Sequence, residues 1–144
     1  MSLFGKPSDI ELCTLYIREF IGLPYIWGGD DPIRGFDCSG LCIEALRGVG
    51  RLPRKGDWSA HTLSTMFPPI SGPQEGALVF YGSPTKITHV AYCINSKFCI
   101  EAGGGGKDNQ DIEDAIYNNA YIRQRSIMSR NDVVMFSNPF QDDV

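Results

Sequence analysis

The feature that most constrains the fold is a change in the spacing of apolar residues near Gly76. Before Gly76, apolar residues recur every three or four positions, which is the spacing of one helix face. After it, short apolar or alternating runs bounded by turn residues indicate strands. Helices followed by strands are typical of the α+β class. We therefore expect N-terminal helices packed on a C-terminal antiparallel β-sheet of about five to six strands.

Capping and breaking residues define the predicted helices. Ser8 and Glu11 form a capping box that begins the first helix, and Gly22 with Pro24 ends it. The buried face of this helix is predicted to hold Cys13, Tyr16, Ile17, Phe20 and Ile21. Three further helices are predicted over Cys38 to Leu46, Asp57 to Met66 and Asp111 to Tyr117.

The strand predictions centre on one hairpin. Strands are expected over Ala77 to Tyr81, Ile87 to Ile94, Phe98 to Ala102, Tyr121 to Ile127 and Asp132 to Phe136. The turn residues Asn95 to Lys97 indicate a short loop between the second and third of these. That loop length places Cys93 opposite Cys99.

Length and charge exclude several classes of protein. The chain has 144 residues, which fits one domain over 1–144, and a net charge of −4 without a Lys/Arg run. Nucleic-acid binding needs clustered positive charge, so we expect none. No apolar run approaches the roughly 20 residues of a membrane span. No signal peptide is visible from Met1 to Pro7, so we expect cytoplasmic synthesis, with virion association or delivery to the cell wall left open.

The five cysteines are expected to be free thiols. An odd count without a secretion signal argues against a disulfide framework. Cys38 and Cys42 are separated by three residues, and Cys93 and Cys99 are isolated, so no paired zinc-binding pattern exists. We expect neither a metal nor an organic cofactor.

Cys38 is the candidate nucleophile because it begins a predicted helix. The attacking species is the thiolate, and the unpaired N–H groups and dipole at a helix start favour negative charge. Asp37 is a reasonable N-cap, and Gly40 leaves the approach to the sulfur open. Backbone N–H groups in this turn would also hold an oxyanion.

His89 and Glu101 are the candidate base and orienting residue. Strand alternation and a three-residue loop place them on the same face, diagonal to each other. A carboxylate there would bond one imidazole nitrogen and leave the other for Cys38. A two-residue loop would turn Glu101 to the opposite face. The other histidine, His61, is a less favoured candidate for the base.

Each candidate also has a purely structural interpretation. Cys38 is a small apolar residue suited to a core, and His89 would be a half-buried strand residue bonded to backbone. Glu101 would be a solvated surface carboxylate, and Tyr25 and Trp27 would be core aromatics. Together, the helix start and the suitable histidine favour catalysis.

With these residues in place, the chain resembles the NlpC/P60 family of papain-like cysteine peptidases. The resemblance covers about Gly22 to Ala102 in the family's order. Its motifs are Gly22 to Gly29, Phe36 to Leu41, Leu52 to Arg54, Gly76 to Phe80, His89 to Tyr92 and Ile100 to Ala102. It implies a papain-like fold, with Cys38 as nucleophile, His89 as base and Tyr25 on the oxyanion side. Glutamate at position 101 departs from the usual histidine, asparagine or glutamine, and Ala77 replaces a usual aspartate.

The resemblance implies a Cys-His-Glu triad that hydrolyses bacterial cell-wall stem peptides through a thioester. Trp27, Asp37, Ser39 and Gly40 are the expected substrate-binding residues. The segment from Arg125 to Phe140 is similar to the ending of phage-tail and prophage members, so phage tail proteins are a candidate partner. Two alternatives stay open: an amidase or acyltransferase acting on a lipid or small molecule, and a non-catalytic structural module of a phage tail.

Overall fold

The computed structural model describes residues 8–31, 35–103 and 111–141. The helices are α1 (Asp9–Arg18), α2 (Cys38–Gly48), α3 (Ala60–Leu63) and α4 (Ile112–Tyr117), with a 3₁₀ turn at Ile127–Ser129. The strands are β1 (Asp30–Asp31), β2 (Gly35–Phe36), β3 (Pro69–Ile70), β4 (Leu78–Ser83), β5 (Lys86–Cys93), β6 (Phe98–Gly103), β7 (Tyr121–Ser126) and β8 (Val133–Ser137). Met1 to Pro7, the segment to which the signal-peptide prediction applies, lie outside the described residues.

Six of the strands form one antiparallel sheet in the order β3-β8-β4-β5-β6-β7. The strands β1 and β2 form a separate antiparallel pair immediately before α2. Helices before Gly76 and a mostly C-terminal sheet confirm the predicted α+β class.

The central strands of the sheet are buried on both faces. One face packs against the helices, with Leu41 and Leu46 of α2 in the same core as Phe80 and Val90. Side chains from the other face form a smaller apolar cluster: Ala77, Val79, Tyr81, Ala91, Cys93, Cys99 and Ile127. Because side chains alternate along a strand, His89 shares the second face with Ala91 and Cys93.

The loop between β5 and β6 has the predicted length. The Asn95 side chain accepts hydrogen bonds from the backbone N–H groups of Lys97 and Phe98, both at 2.8 Å. The backbone N–H of Ile94 donates to the Phe98 carbonyl, and Cys93 pairs with Cys99. The expected register is therefore confirmed, and it decides which residues of β6 share a face with His89.

Several predicted boundaries were wrong. The first helix ends at Arg18 rather than near Ile21, because its last turn tightens and Gly22 adopts φ +98°. The third helix is confined to Ala60–Leu63, since the Ser59 side chain caps it by accepting from the Thr62 N–H. The strands β1, β2 and β3 were missed because two residues are too few to show a period.

Candidate active site

Cys38 is the first residue of α2, and Asp37 is its N-cap. The Asp37 Oδ1 atom accepts from the Gly40 N–H at 2.6 Å and from the Ser39 hydroxyl at 3.3 Å. Burial raises the pKa of Asp37, although these bonds stabilise its anion and act in the opposite direction. The cap fixes the start of α2 and with it the position of the sulfur.

Gly40 is buried. The sequence alone indicates that glycine here keeps the approach to the sulfur open, but the structure shows a different constraint on this position. A Cβ atom there would overlap the Gly29 carbonyl oxygen and lie 2.8 Å from Asp37 Oδ1. The same carbonyl accepts from the Asp37 N–H at 2.9 Å. Glycine at position 40 therefore allows the backbone of Gly29 to approach the first turn of α2. It does not line the cleft that holds Cys38.

His89 lies in the middle of β5, opposite Tyr81 on β4. A β-bulge at Tyr81 and Gly82 follows this pair, and the Tyr81 ring lies 5.5 Å from the imidazole between centroids. The histidine is 8% exposed. Packing on this scale restricts the ring to few orientations, which suits a residue that must face a fixed partner.

Both sides of the His89 ring have polar partners. The Nε2 atom is 2.9 Å from Glu101 Oε1, so the predicted pairing across the hairpin is present in the structure. Cys38 lies near enough to the imidazole to raise its pKa, and because Nε2 faces Glu101, Nδ1 is the nitrogen left for the sulfur. Burial alone would lower the pKa of His89, but the bonds with Cys38 and Glu101 raise it to about 9. The geometry therefore favours the imidazolium form.

Glu101 is held by two arginines that sequence reasoning missed. Its Oε2 atom lies 3.4 Å from Arg125 Nη1 and 3.6 Å from Arg123 Nε. Burial would raise the pKa of Glu101, but His89 and the two guanidinium groups lower it below its ordinary value. Alternation of Arg123 and Arg125 along β7 was the available signal. That these arginines would lie beside Glu101 could not be predicted, because α4 separates β7 from β6 in the chain and no loop length fixes their pairing.

Tyr25 lies between two cavities. It is 6% exposed, and burial, together with nearby Cys38 and Asp37, raises the pKa of its phenol. The first cavity, of about 300 Å³, is named the aromatic cleft. Its lining residues are Tyr25, Trp27, Asp37, Cys38, Ser39, Asp57, Trp58, Ser59 and Ala60. Three of the four expected substrate-binding residues, Trp27, Asp37 and Ser39, are thus brought together with Cys38.

The second cavity, of about 110 Å³, is named the arginine pocket. It is lined by Tyr25, His89, Glu101, Ala102, Gly103, Arg125 and Arg130. Arg130 donates to Asp132 at 2.9 and 2.7 Å, and its guanidinium lies 4.9 Å from the centre of the Tyr81 ring. The two cavities therefore meet at Tyr25, one containing the sulfur and the other the imidazole.

His61 lines neither cavity, although the preceding residue, Ala60, lines the aromatic cleft. Its Nδ1 atom accepts from the backbone N–H of Ile87 at 3.0 Å, so it helps to dock α3 on β5. In the described ranges, no group of three or more His, Cys, Asp or Glu side chains is arranged to hold a metal ion. Within the same ranges, no helix has the length and apolar character needed to cross a membrane.

Comparison with known proteins places this chain in a family. The model of the NlpC/P60 family matches residues 22–137, so the chain belongs to the NlpC/P60 family. It is 33% identical over 120 residues to murein DD-endopeptidase MepH of Escherichia coli K12, covering 78% of this chain and 44% of that protein. It is 30% identical over 115 residues to the bifunctional muramidase/DL-endopeptidase CwlT of Bacillus subtilis 168, covering 76% of this chain and 34% of that protein.

A solved structure shows the same fold. The NlpC/p60 domain of peptidoglycan hydrolase SagA superposes with a TM-score of 0.69 at 24% identity. The match covers 91% of this chain and 99% of that domain. The papain-like fold class predicted from the resemblance is therefore confirmed. The chain spans less than half the length of each of these two curated relatives. That residues 1–144 form a single catalytic domain stays a prediction.

Proposed function

We propose that this chain is a cysteine peptidase that hydrolyses peptide bonds in bacterial cell-wall stem peptides. One observation carries the proposal: a cysteine at a helix start lies near an imidazole whose Nε2 atom bonds a buried carboxylate. This arrangement is the one that activates a thiol nucleophile. The names of the relatives, murein DD-endopeptidase and DL-endopeptidase, support the substrate class. They differ in the bond, so the proposal is limited to stem-peptide bonds in general.

The reaction proceeds in two steps. The Cys38 thiolate attacks the carbonyl carbon, and the C–N bond breaks as the His89 imidazolium gives its proton to the leaving amine. His89 then removes a proton from water, which attacks the thioester, releases the acid and restores the Cys38 thiolate beside the imidazolium. Glu101 holds the ring and stabilises its cationic form.

The negative oxygen formed in each attack needs donors near the start of α2. Asp37 already occupies the N–H of Gly40, so the N–H groups of Cys38 and Ser39 are the donors left in that turn. The Tyr25 hydroxyl supplies a further donor, since the raised pKa of this phenol keeps its proton in place. Trp27 and Ser39 contact the acyl part of the peptide in the aromatic cleft.

The test is hydrolysis of purified stem peptides, both cross-linked and linear, with new amines detected by mass spectrometry. Cys38→Ala is expected to lower kcat/KM by about four orders of magnitude or more, because the nucleophile is removed. Cys42→Ala is the matched control: it lies one turn later on α2, is fully buried, and should keep activity. Equal inactivity of the wild type and Cys38→Ala on every peptide would refute the proposal.

The similarity of the C-terminal segment to phage-tail members stays a prediction, as does association with phage tail proteins. Binding of the chain to a tail protein, unaffected by Cys38→Ala, would support it. Turnover of stem peptides tests a different property and does not depend on that association.

A further inference from the structure

Among the described residues, the side chains in and beside the arginine pocket carry more positive than negative charge. Arg130 is paired with Asp132 through two hydrogen bonds, whereas Arg123 and Arg125 share the single carboxylate of Glu101. Counting Arg123 and Asp132, which contact lining residues without lining the pocket themselves, three guanidinium groups accompany two carboxylates. Cys38 with His89 adds no net charge as an ion pair. Excess positive charge in a partly buried site attracts an anion.

Donor groups are also left over around this pocket. Arg130 uses Nε and Nη2 for Asp132, and Arg125 uses Nη1 for Glu101. Within the described ranges these guanidinium groups form no further hydrogen bonds, so their other N–H groups are available to a ligand. Among the described residues, the buried Nε of Arg123 has no hydrogen-bond partner. Planar guanidinium groups with N–H donors to spare match the two oxygens of a carboxylate.

The position of the pocket indicates which part of the substrate it receives. The aromatic cleft is lined by Cys38 and not by His89, whereas the arginine pocket is lined by His89 and not by Cys38. In the proposed reaction the sulfur bonds the acyl carbon and His89 protonates the leaving amine. The acyl part therefore belongs in the cleft and the leaving residue in the pocket.

We propose that the arginine pocket binds a carboxylate carried by the residue that leaves as the amine, with Arg130 and Arg125 as its donors. This inference rests on the proposed function, since it assigns a side to each product. A cavity of about 110 Å³ accepts a group of carboxylate size, well below the roughly 300 Å³ at which drug-sized sites begin. The pocket would thus select for an acidic group close to the scissile bond.

The experiment compares two stem peptides that differ only in the leaving residue, which carries a free carboxylate in one and a carboxamide in the other. For the wild type, we expect kcat/KM to be about tenfold higher for the acid, as for a charge-assisted hydrogen bond in a partly exposed site. Arg130→Gln should lower this acid-to-amide ratio towards one. Arg18→Gln, which removes an exposed arginine on α1, should leave the ratio unchanged.

A binding measurement separates this inference from the proposed function. Calorimetry with Cys38→Ala should give tighter binding of the acid than of the amide, and the difference should shrink in Cys38→Ala/Arg130→Gln. If both peptides are cut equally fast, the carboxylate pocket is refuted while the peptidase stands. If neither is cut, the proposed function fails and the assignment of the pocket to a leaving residue fails with it, while the calorimetry still shows whether the pocket binds a carboxylate. Equal affinities, or no binding of either peptide, overturn it.

Discussion

The aromatic cleft and the arginine pocket share Tyr25 but offer a ligand opposite surroundings. The cleft presents Trp27 and Trp58, with Asp57 at its side, whereas the pocket presents Arg125 and Arg130 around a buried carboxylate. The reactive sulfur opens into the first and the imidazole into the second. These surroundings would orient the scissile peptide bond. Apolar contact and shape would position its acyl side in the cleft, and charge would position its amine side in the pocket.

Apart from removal of the nucleophile itself, the largest effect is expected where the backbone holds the sulfur between these two regions. Gly40→Ala would force a Cβ atom against the Gly29 carbonyl and displace the start of α2. We expect a loss of about 3 kcal/mol in the free energy of unfolding, and about a hundredfold loss in kcat/KM from misplacement of Cys38.

Denaturant unfolding and peptide hydrolysis measure the two effects of Gly40→Ala. Gly72→Ala is the matched control, because nothing lies within 4 Å of its added Cβ. Gly40→Ala with wild-type stability would show that the close approach of Gly29 is dispensable.

A smaller effect is expected when the carboxylate of the pocket loses its charge. In Glu101→Gln, His89 keeps a hydrogen-bond partner but loses the anion that raises its pKa, and Arg123 and Arg125 become uncompensated. The pKa of His89 should fall from about 9. Because the active thiolate–imidazolium pair is lost as pH rises through that pKa, the alkaline limb of kcat/KM should move to lower pH.

The pH profile of peptide hydrolysis checks Glu101→Gln. If the limb moves down by one pH unit, the rate on the alkaline side should fall about tenfold. Glu19→Gln, an exposed carboxylate outside both cavities, should leave the profile in place. An alkaline limb that does not move would mean that Glu101 has no electrostatic effect on His89.

In the aromatic cleft, Trp27→Ala removes a side chain that is 46% exposed beside Cys38. Loss of one aromatic contact should raise KM about three- to tenfold with kcat nearly unchanged, because the contact exists before and during the reaction. Tyr117→Ala removes an aromatic side chain that is 90% exposed on α4 and should change neither constant. A fall in kcat with constant KM would contradict a role in binding.

The smallest effect is expected from Arg125→Gln, and its direction is opposite to that of Glu101→Gln. Without this guanidinium, the Glu101 charge is less compensated, so the pKa of His89 should rise and the alkaline limb should move to higher pH. Since the Arg125 side chain is 36% exposed, solvent screens it, and kcat/KM at neutral pH should change only about two- to fivefold. Movement of the alkaline limb to lower pH would show that Arg125 does not lower the pKa of His89 by compensating the charge of Glu101.

The parts of the site that could be predicted from sequence are those set by local rules. The start of α2 at Cys38 follows from helix spacing and the Asp37 cap, and the pairing of His89 with Glu101 follows from hairpin register. These features depend on residues close in the chain, where helix period and loop length are informative. The α+β class follows from the same spacing, although the order of the strands in the sheet does not.

The parts that could not be predicted depend on contacts between distant segments. Arg123 and Arg125 reach Glu101 only because β7 returns beside β6. Tyr25 is held by its N–H bond to the Ala120 carbonyl, which no spacing within either segment indicates. The reason for glycine at position 40 likewise lies in the carbonyl of Gly29, which precedes β1. Such positions are decided by packing of the whole chain rather than by propensity.

The short loop after β5 has a consequence for how relatives of this chain can diverge. Inserting one residue among Asn95 to Lys97 would turn the β6 side chains over and send Glu101 away from His89. Inserting two residues would return Glu101 to the face of the sheet that carries His89 but would shift its carboxylate along the strand. Natural length variation should therefore be suppressed at this surface turn, although its residues are exposed and otherwise free to change. The length of this hydrophilic turn would thus be conserved as strictly as the residues that perform the chemistry, while its side chains vary.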